Sequence, residues 1–98
     1  MHQVEPIQVA YAFRDGAHLF HADDPRVGEV AVAHGVPEVA YEEVTKALTE
    51  RVAASLGRPA QARPALPFKD FWTWLQMNPI AAMPGAPCHV EFAWEIRA

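Results

Sequence analysis

Alternating apolar and polar positions organise the front of the chain. In "IQVAYAF" (7–13), Ile7, Val9, Tyr11 and Phe13 point one way, and Gln8, Ala10 and Ala12 the other. That is the period of a half-buried strand. Asp15-Gly16 follows, a pair suited to a type I′ hairpin turn because both central residues need positive φ. "AHLFHA" then reads as the second strand. A two-residue turn sets Arg14 opposite Ala17, Phe13 opposite His18 and Tyr11 opposite Phe20. One face therefore carries Ile7, Val9, Tyr11, Phe13, His18 and Phe20, and the other Ala10, Ala12, Leu19 and His21. Pro25 and Gly28 break the pattern, and "EVAVAH" reads as a short third strand.

The period then lengthens. Pro37 suits a first helical position, and Glu38, Glu42 and Glu43 complement the positive end of a helix. Ala40, Val44, Ala47, Leu48, Val52 and Leu56 recur at helical spacing. Gly57 is a natural stop, with Pro59 beyond it. The pattern predicts a helix over 37–56. The proline-rich stretch at 57–67 reads as an extended connection. "FKDFWTWLQM" predicts a short amphipathic helix with Phe68, Phe71, Trp72 and Leu75 on its stripe, and "NPIAAMPGAP" is loop. In "CHVEFAWEI", Cys88, Val90, Phe92, Trp94 and Ile96 share one face of a last strand, and His89, Glu91, Ala93 and Glu95 the other.

These elements predict an α+β domain in the order β-β-β-α-(short α)-β. The expected sheet is small and mixed, with one main helix packed on one face. A helix between the third and last strands permits a parallel pairing. Trp94 should point inward, against Val44, Leu48 and Val52. The face with Ala10, Ala12 and Leu19 stays open, and the end strands carry backbone groups that must be covered or paired.

A length of 98 residues fits one domain, 1–98. Formal net charge is −4, and Lys46 and Lys69 are the only lysines. There is no basic stripe for nucleic acid, and an acidic surface suits a basic protein partner. A lone cysteine, Cys88, allows no internal disulfide, so a reducing cytoplasm is the expected location. No signal-peptide pattern is visible and no apolar run approaches the ~20 residues that span a membrane.

The candidate chemistry is modest. His18, His21, Asp23 and Asp24 in "HLFHADD" raise the question of a metal or acid–base cluster. Strand residues three apart face opposite sides, so the two histidines diverge, and the stretch reads as a polar strand end and turn. His2, His34 and His89 are scattered. The carboxylates fall in turns or on the outer helix surface, with none at a hairpin strand centre, which argues against a two-metal nuclease. Cys88 fits a buried structural thiol. No catalytic residue, cofactor or metal ligand is therefore assigned. Trp74 lies off the stripe of its helix and is either an exposed anchor for a partner or packed under the proline-rich arm. Small apolar residues on the open sheet face, rimmed by His21, Glu91 and Glu95, match the apolar centre and polar rim of an interface. Leu19, His21, Trp74 and Glu91 are the candidate partner-binding residues. A homodimer is the simplest expected assembly, with a higher homo-oligomer as the variant.

Residues 7–56 resemble the HicB-like family. Its pattern runs strand, Asp-Gly turn, strand, a break containing Pro and Gly, third strand, glycine, then a helix opening with glutamates. "AFRDG", "HLFHADDPRVG", "EVAVAHG" and "VPEVAYEEVTKAL" follow that order. Asp15 and Gly16 match the turn, Pro25 and Gly28 the break (with two residues between them), and Ala40 the inward alanine. Gly35 lies near the glycine before the helix. Val36 stands where a threonine usually caps the helix, and the final third carries no family signature. The resemblance implies a partial RNase-H-like fold in β-β-β-α-β order. Family members act as antitoxins that block a small RNase toxin, HicA, and full-length ones add a DNA-binding segment. No such segment is apparent here. The implied role is the protein-binding half alone: a non-catalytic, antitoxin-like inhibitor of a small basic RNase. Two other readings stay open, an accessory metal- or small-molecule-binding domain or enzyme subunit using the hairpin histidines, and an acidic inhibitor of a nucleic-acid enzyme.

Overall fold

A computed structural model describes residues 5–78 and 90–97. The elements are β1 (Ile7–Arg14), β2 (Ala17–Asp24), β3 (Gly28–His34), α1 (Pro37–Leu56), β4 (Gln61–Pro64), α2 (Phe68–Met77) and β5 (Val90–Arg97). They form one five-stranded sheet of order β3-β2-β1-β5-β4. Every neighbouring pair is antiparallel. The sheet curls enough that α1 touches both of its edge strands, β3 and β4.

The hairpin follows its sequence signals. Asp15 and Gly16 both have positive φ, 51° and 76°, and Arg14↔Ala17, Phe13↔His18 and Tyr11↔Phe20 are paired as expected. The second turn closes with an Asp24 carbonyl accepting from Val27 N–H at 2.9 Å, then Gly28 at φ 71°. Arg26 fixes that turn. Its guanidinium grips Asp24 through Nε and Nη2 at 2.8 and 2.7 Å and donates to the carbonyls of Glu5 and Pro6. The Asp24 carboxyl is held below its usual range, chiefly by that side-chain bond. The polar end of "HLFHADD" is thus a structural clamp.

Helix α1 has the predicted bounds. Val36 supplies no side-chain cap, but Pro37 removes one donor that would need an acceptor, and the Val36 N–H donates to His34 Nδ1 at 2.9 Å. Gly57, at φ 68°, ends the helix with its N–H on the Ala53 carbonyl. The buried stripe is Ala40, Tyr41, Val44, Leu48 and Val52. Leu56, expected on it, is exposed.

Two features differ from the sequence reading. The proline-rich stretch contains a strand, β4, which pairs with β5. β5 lies between β1 and β4, so the sheet is antiparallel throughout rather than mixed, and the helix crossover makes no parallel pair. The added strand reverses the chain once more before β5, and that reversal sets the direction of the last strand. Cys88 and His89 fall outside the described residues.

The core fills the concave face. Ile7, Val9, Tyr11, Phe20 and Trp94 are nearly or wholly buried with Leu48, Val44 and Phe71. Phe71 of α2 sits 4.8 Å from Tyr41 and from Phe92, ring centre to centre. Trp94 is 0% exposed, and its indole N–H donates to Thr45 Oγ at 2.8 Å. Thr45 in turn donates to the Tyr41 carbonyl. Burying a Trp needs such a partner for its N–H, and Thr45 supplies it from α1. The Tyr41 hydroxyl donates to the Leu66 carbonyl and is pushed well above its ordinary pKa, first by burial and then by Asp70.

Edge strand β4 is closed by α1. The Ala62 N–H donates to Thr49 Oγ at 3.0 Å, and Pro64 has no N–H. Inward, Ala65 N–H reaches the Ala93 carbonyl at 2.9 Å.

Candidate protein-binding surface

Helices α1 and α2 both pack on the concave face, and among the described residues the convex face of the sheet is open. Cross-strand pairing fixes which residues meet there. Ala31, His21, Ala10 and Glu91 form one row across β3, β2, β1 and β5. Ala33, Leu19 and Ala12 form the next row; on the other side Glu29 pairs with Asp23, and Gln8 with Ala93. Neighbouring strands lie about 4.8 Å apart, so these side chains make a continuous surface. Its centre is small and apolar: Ala10, Ala12 and Leu19 are half-buried, and Ala31 and Ala33 exposed. Carboxylates surround it. Asp23 and Glu29 face each other directly, which is unfavourable for like charges, and Glu91 stands on the far side of Ala10. His21 Nε2 lies 3.8 Å from Glu29. Arg63 and Arg97 lie towards the β4 edge, where Arg97 meets Glu95 at 3.8 Å.

The structure brings Leu19, His21 and Glu91 together and separates Trp74 from them. Trp74 is on α2, on the opposite side of the sheet. It is half-buried, with its ring edge-on to Phe92 at a centroid distance of 5.5 Å and 90°. It packs against the hydrophobic core rather than standing free of it. Off-stripe position alone could not show this, because the ring fills the end of the concave face beside Phe92.

His18 and His21 diverge. His18 is buried, 8% exposed, with Nδ1 at 2.7 Å from the Tyr11 hydroxyl and Trp72 and Phe13 against its ring. Burial lowers its pKa below the ordinary 6.5. The same burial raises the Tyr11 phenol to about 12. His34 lies directly across from His18, a neighbour that sequence reasoning missed. Counting on from the hairpin register through the Gly28 turn would have found it. His34 accepts the Val36 N–H at Nδ1, so in its neutral form the proton is on Nε2, the atom that would otherwise reach a metal. Among the described residues, no three His, Cys, Asp or Glu side chains gather as metal ligands. No buried side-chain polar atom there lacks a hydrogen-bond partner, so nothing inside awaits a polar ligand.

A groove of about 540 Å³ runs between α1, β4 and the start of α2, lined among others by Lys46, Thr45, Thr49, Gln61 and Phe68. Its two threonine hydroxyls already serve Trp94 and Ala62, and the hairpin histidines are elsewhere. No described helix is long and apolar enough to cross a membrane.

Comparison with family models, with curated proteins and with solved structures found no match to this chain.

Proposed function

We propose that this chain is a non-catalytic protein-binding module, antitoxin-like, that inhibits a small basic partner through the convex face of its sheet. The observation that carries the reading is the composition of that face: an apolar centre of Ala10, Ala12, Leu19, Ala31 and Ala33 beside Asp23, Glu29 and Glu91. A partner's backbone can approach closely over alanines, and the carboxylates attract basic charge and set its orientation. The net charge of −4 adds long-range attraction for a cationic protein. The resemblance of residues 7–56 to the HicB-like family names the partner class, a small RNase. Leu19 is the central contact, and His21 and Glu91 belong to the rim. Trp74 supports the fold from the other side.

The test is recovery of the partner on the tagged chain, followed by reconstitution from pure components. The expected result is a small basic RNase whose cleavage of RNA stops at one equivalent of this chain. Leu19→Asp should weaken that inhibition by about a hundredfold, as expected for loss of a central contact. An RNase that keeps full activity at saturating chain, or one inhibited equally by Leu19→Asp, overturns the proposal.

A further inference from the structure

In an antiparallel ladder, residues alternate between bonding to one neighbour and bonding to the other. The two-residue turn makes Arg14 and Ala17 a hydrogen-bonded pair, so Ala17, Leu19 and His21 bond to β1. His18, Phe20, Ala22 and Asp24 then bond to β3, through His34, Val32, Val30 and Gly28. The N–H and C=O groups of Glu29, Ala31 and Ala33 are left pointing away from the sheet. Applied to the other edge, the same alternation turns Ala62 and Pro64 outward. There Ala62 meets Thr49, while Ala65 meets Ala93 inward, as the rule requires. Among the described residues, no group outside the sheet hydrogen-bonds the backbone of Glu29, Ala31 or Ala33. β3 also lacks the usual guards of an edge: it has no lysine, no proline and a single carboxylate.

We propose that β3 pairs with β3 of a second copy, antiparallel across a two-fold axis at Ala31, so that two sheets become one. The strand complements itself. With the axis at Ala31, Ala31 meets Ala31, Glu29 meets Ala33 and Val30 meets Val32 of the other copy. Each of the outward N–H groups then finds a carbonyl. The valines extend the helix-covered face, and the alanines extend the convex one. The two Glu29 carboxylates lie at opposite ends of the seam, each facing an alanine. A shift of two residues either way leaves an outward residue of each copy unpaired, and a shift of one sets valine against the wrong face. A two-fold, self-complementary contact is the commonest closed assembly. The seam leaves Leu19 and His21 uncovered, and it stands apart from the partner-protein reading because this chain alone tests it.

The test is mass by light scattering together with amide hydrogen exchange, at concentrations on the order of tens of micromolar, suited to a small interface. The wild type should be a dimer. Its Ala31 and Ala33 amides should exchange at least about tenfold slower there than after dilution to monomer. Ala31→Pro removes a donor that the monomer does not use and should give a folded monomer. Ala33→Glu sets a carboxylate opposite Glu29 of the other copy at both ends of the seam and should do the same by a different route, and it decides the matter if the proline variant fails to fold. Leu19→Asp should stay dimeric. A monomeric wild type overturns the proposal. So does a dimer in which Ala31 and Ala33 exchange freely, or one that Leu19→Asp dissociates while Ala33→Glu does not.

Discussion

The two edges of the sheet are built on opposite plans. β4 is four residues long, has proline at one outward position, and gives its remaining outward N–H to Thr49 of the main helix. β3 is seven residues of mostly valine and alanine, with its outward groups at Glu29, Ala31 and Ala33 uncovered by any described residue. Both touch α1, so nearness to the helix does not make the difference. It comes from one hydroxyl at the right height on the helix and one residue that cannot donate. An edge is closed by satisfying individual donors, not by being shielded in general.

The largest effect is expected where the closed edge meets the core. Trp94 pairs with Pro64, is wholly buried, and bonds to Thr45. Trp94→Ala should cost about 3–5 kcal/mol, most of the stability of a domain this size. Urea denaturation followed by circular dichroism measures it, and a midpoint close to wild type would mean that β4 and β5 are not anchored through this ring.

Next comes the cap itself. Thr49→Val keeps the shape but leaves the Ala62 N–H without its acceptor, at a cost of about 1–3 kcal/mol. Thr49→Ser should restore most of the loss. The Ala62 amide should exchange slowly in the wild type and fast in the valine variant. Equal stability of the two variants would show that β4 is closed by steric cover, and the contrast between the edges would fail.

The smallest effect concerns the histidines beside the open edge. His18 is buried and its pKa lowered, so the unfolded chain takes up a proton that the fold resists. Stability is therefore full above about 6.5 and falls as pH drops below that value, levelling once the folded-state pKa is passed. Asp24 acts in a separate window: its stabilisation is present above 3.8 and is lost only as the pH falls through its lowered value. Melting temperature against pH should show the upper step in the wild type and in His21→Ala, and lose it in His18→Gln. A slope that vanishes with His21→Ala would assign it to the wrong side of the sheet.

Much of this architecture is legible in the chain because single residues enforce it. Asp15-Gly16 dictates a two-residue turn, and from that one turn the register, the facing of His18 and His21, and the convex face with Leu19 all follow. Pro37 and Gly57 bracket α1. The strand at 61–64 is hidden because its period is carried by Ala62 alone between arginine, glutamine and proline, residues that equally suit a solvated connection. Missing it also obscured the direction of β5. Tyr41 escaped the helical stripe because a phenol is not plainly apolar, although its ring is buried against the core. For the candidate surface, alternation placed Leu19, His21 and Glu91 correctly on one face. It could not place Trp74, whose surroundings depend on how α2 packs against Phe92.

The order β3-β2-β1-β5-β4 also bears on how the chain reaches its fold. β5, the last strand in sequence, occupies an interior position with a neighbour on each side. Until residues 90–97 arrive, β1 has an unpaired flank at Ile7, Val9 and Tyr11, and β4 has no strand to join. The β1–β2–β3 meander rests on local contacts and can form early, whereas docking of β5 closes a loop of roughly eighty residues back to β1, a slow kind of step. During synthesis the nascent chain would therefore wait as a meander and helix, with the far half of its sheet assembling in one late, cooperative event.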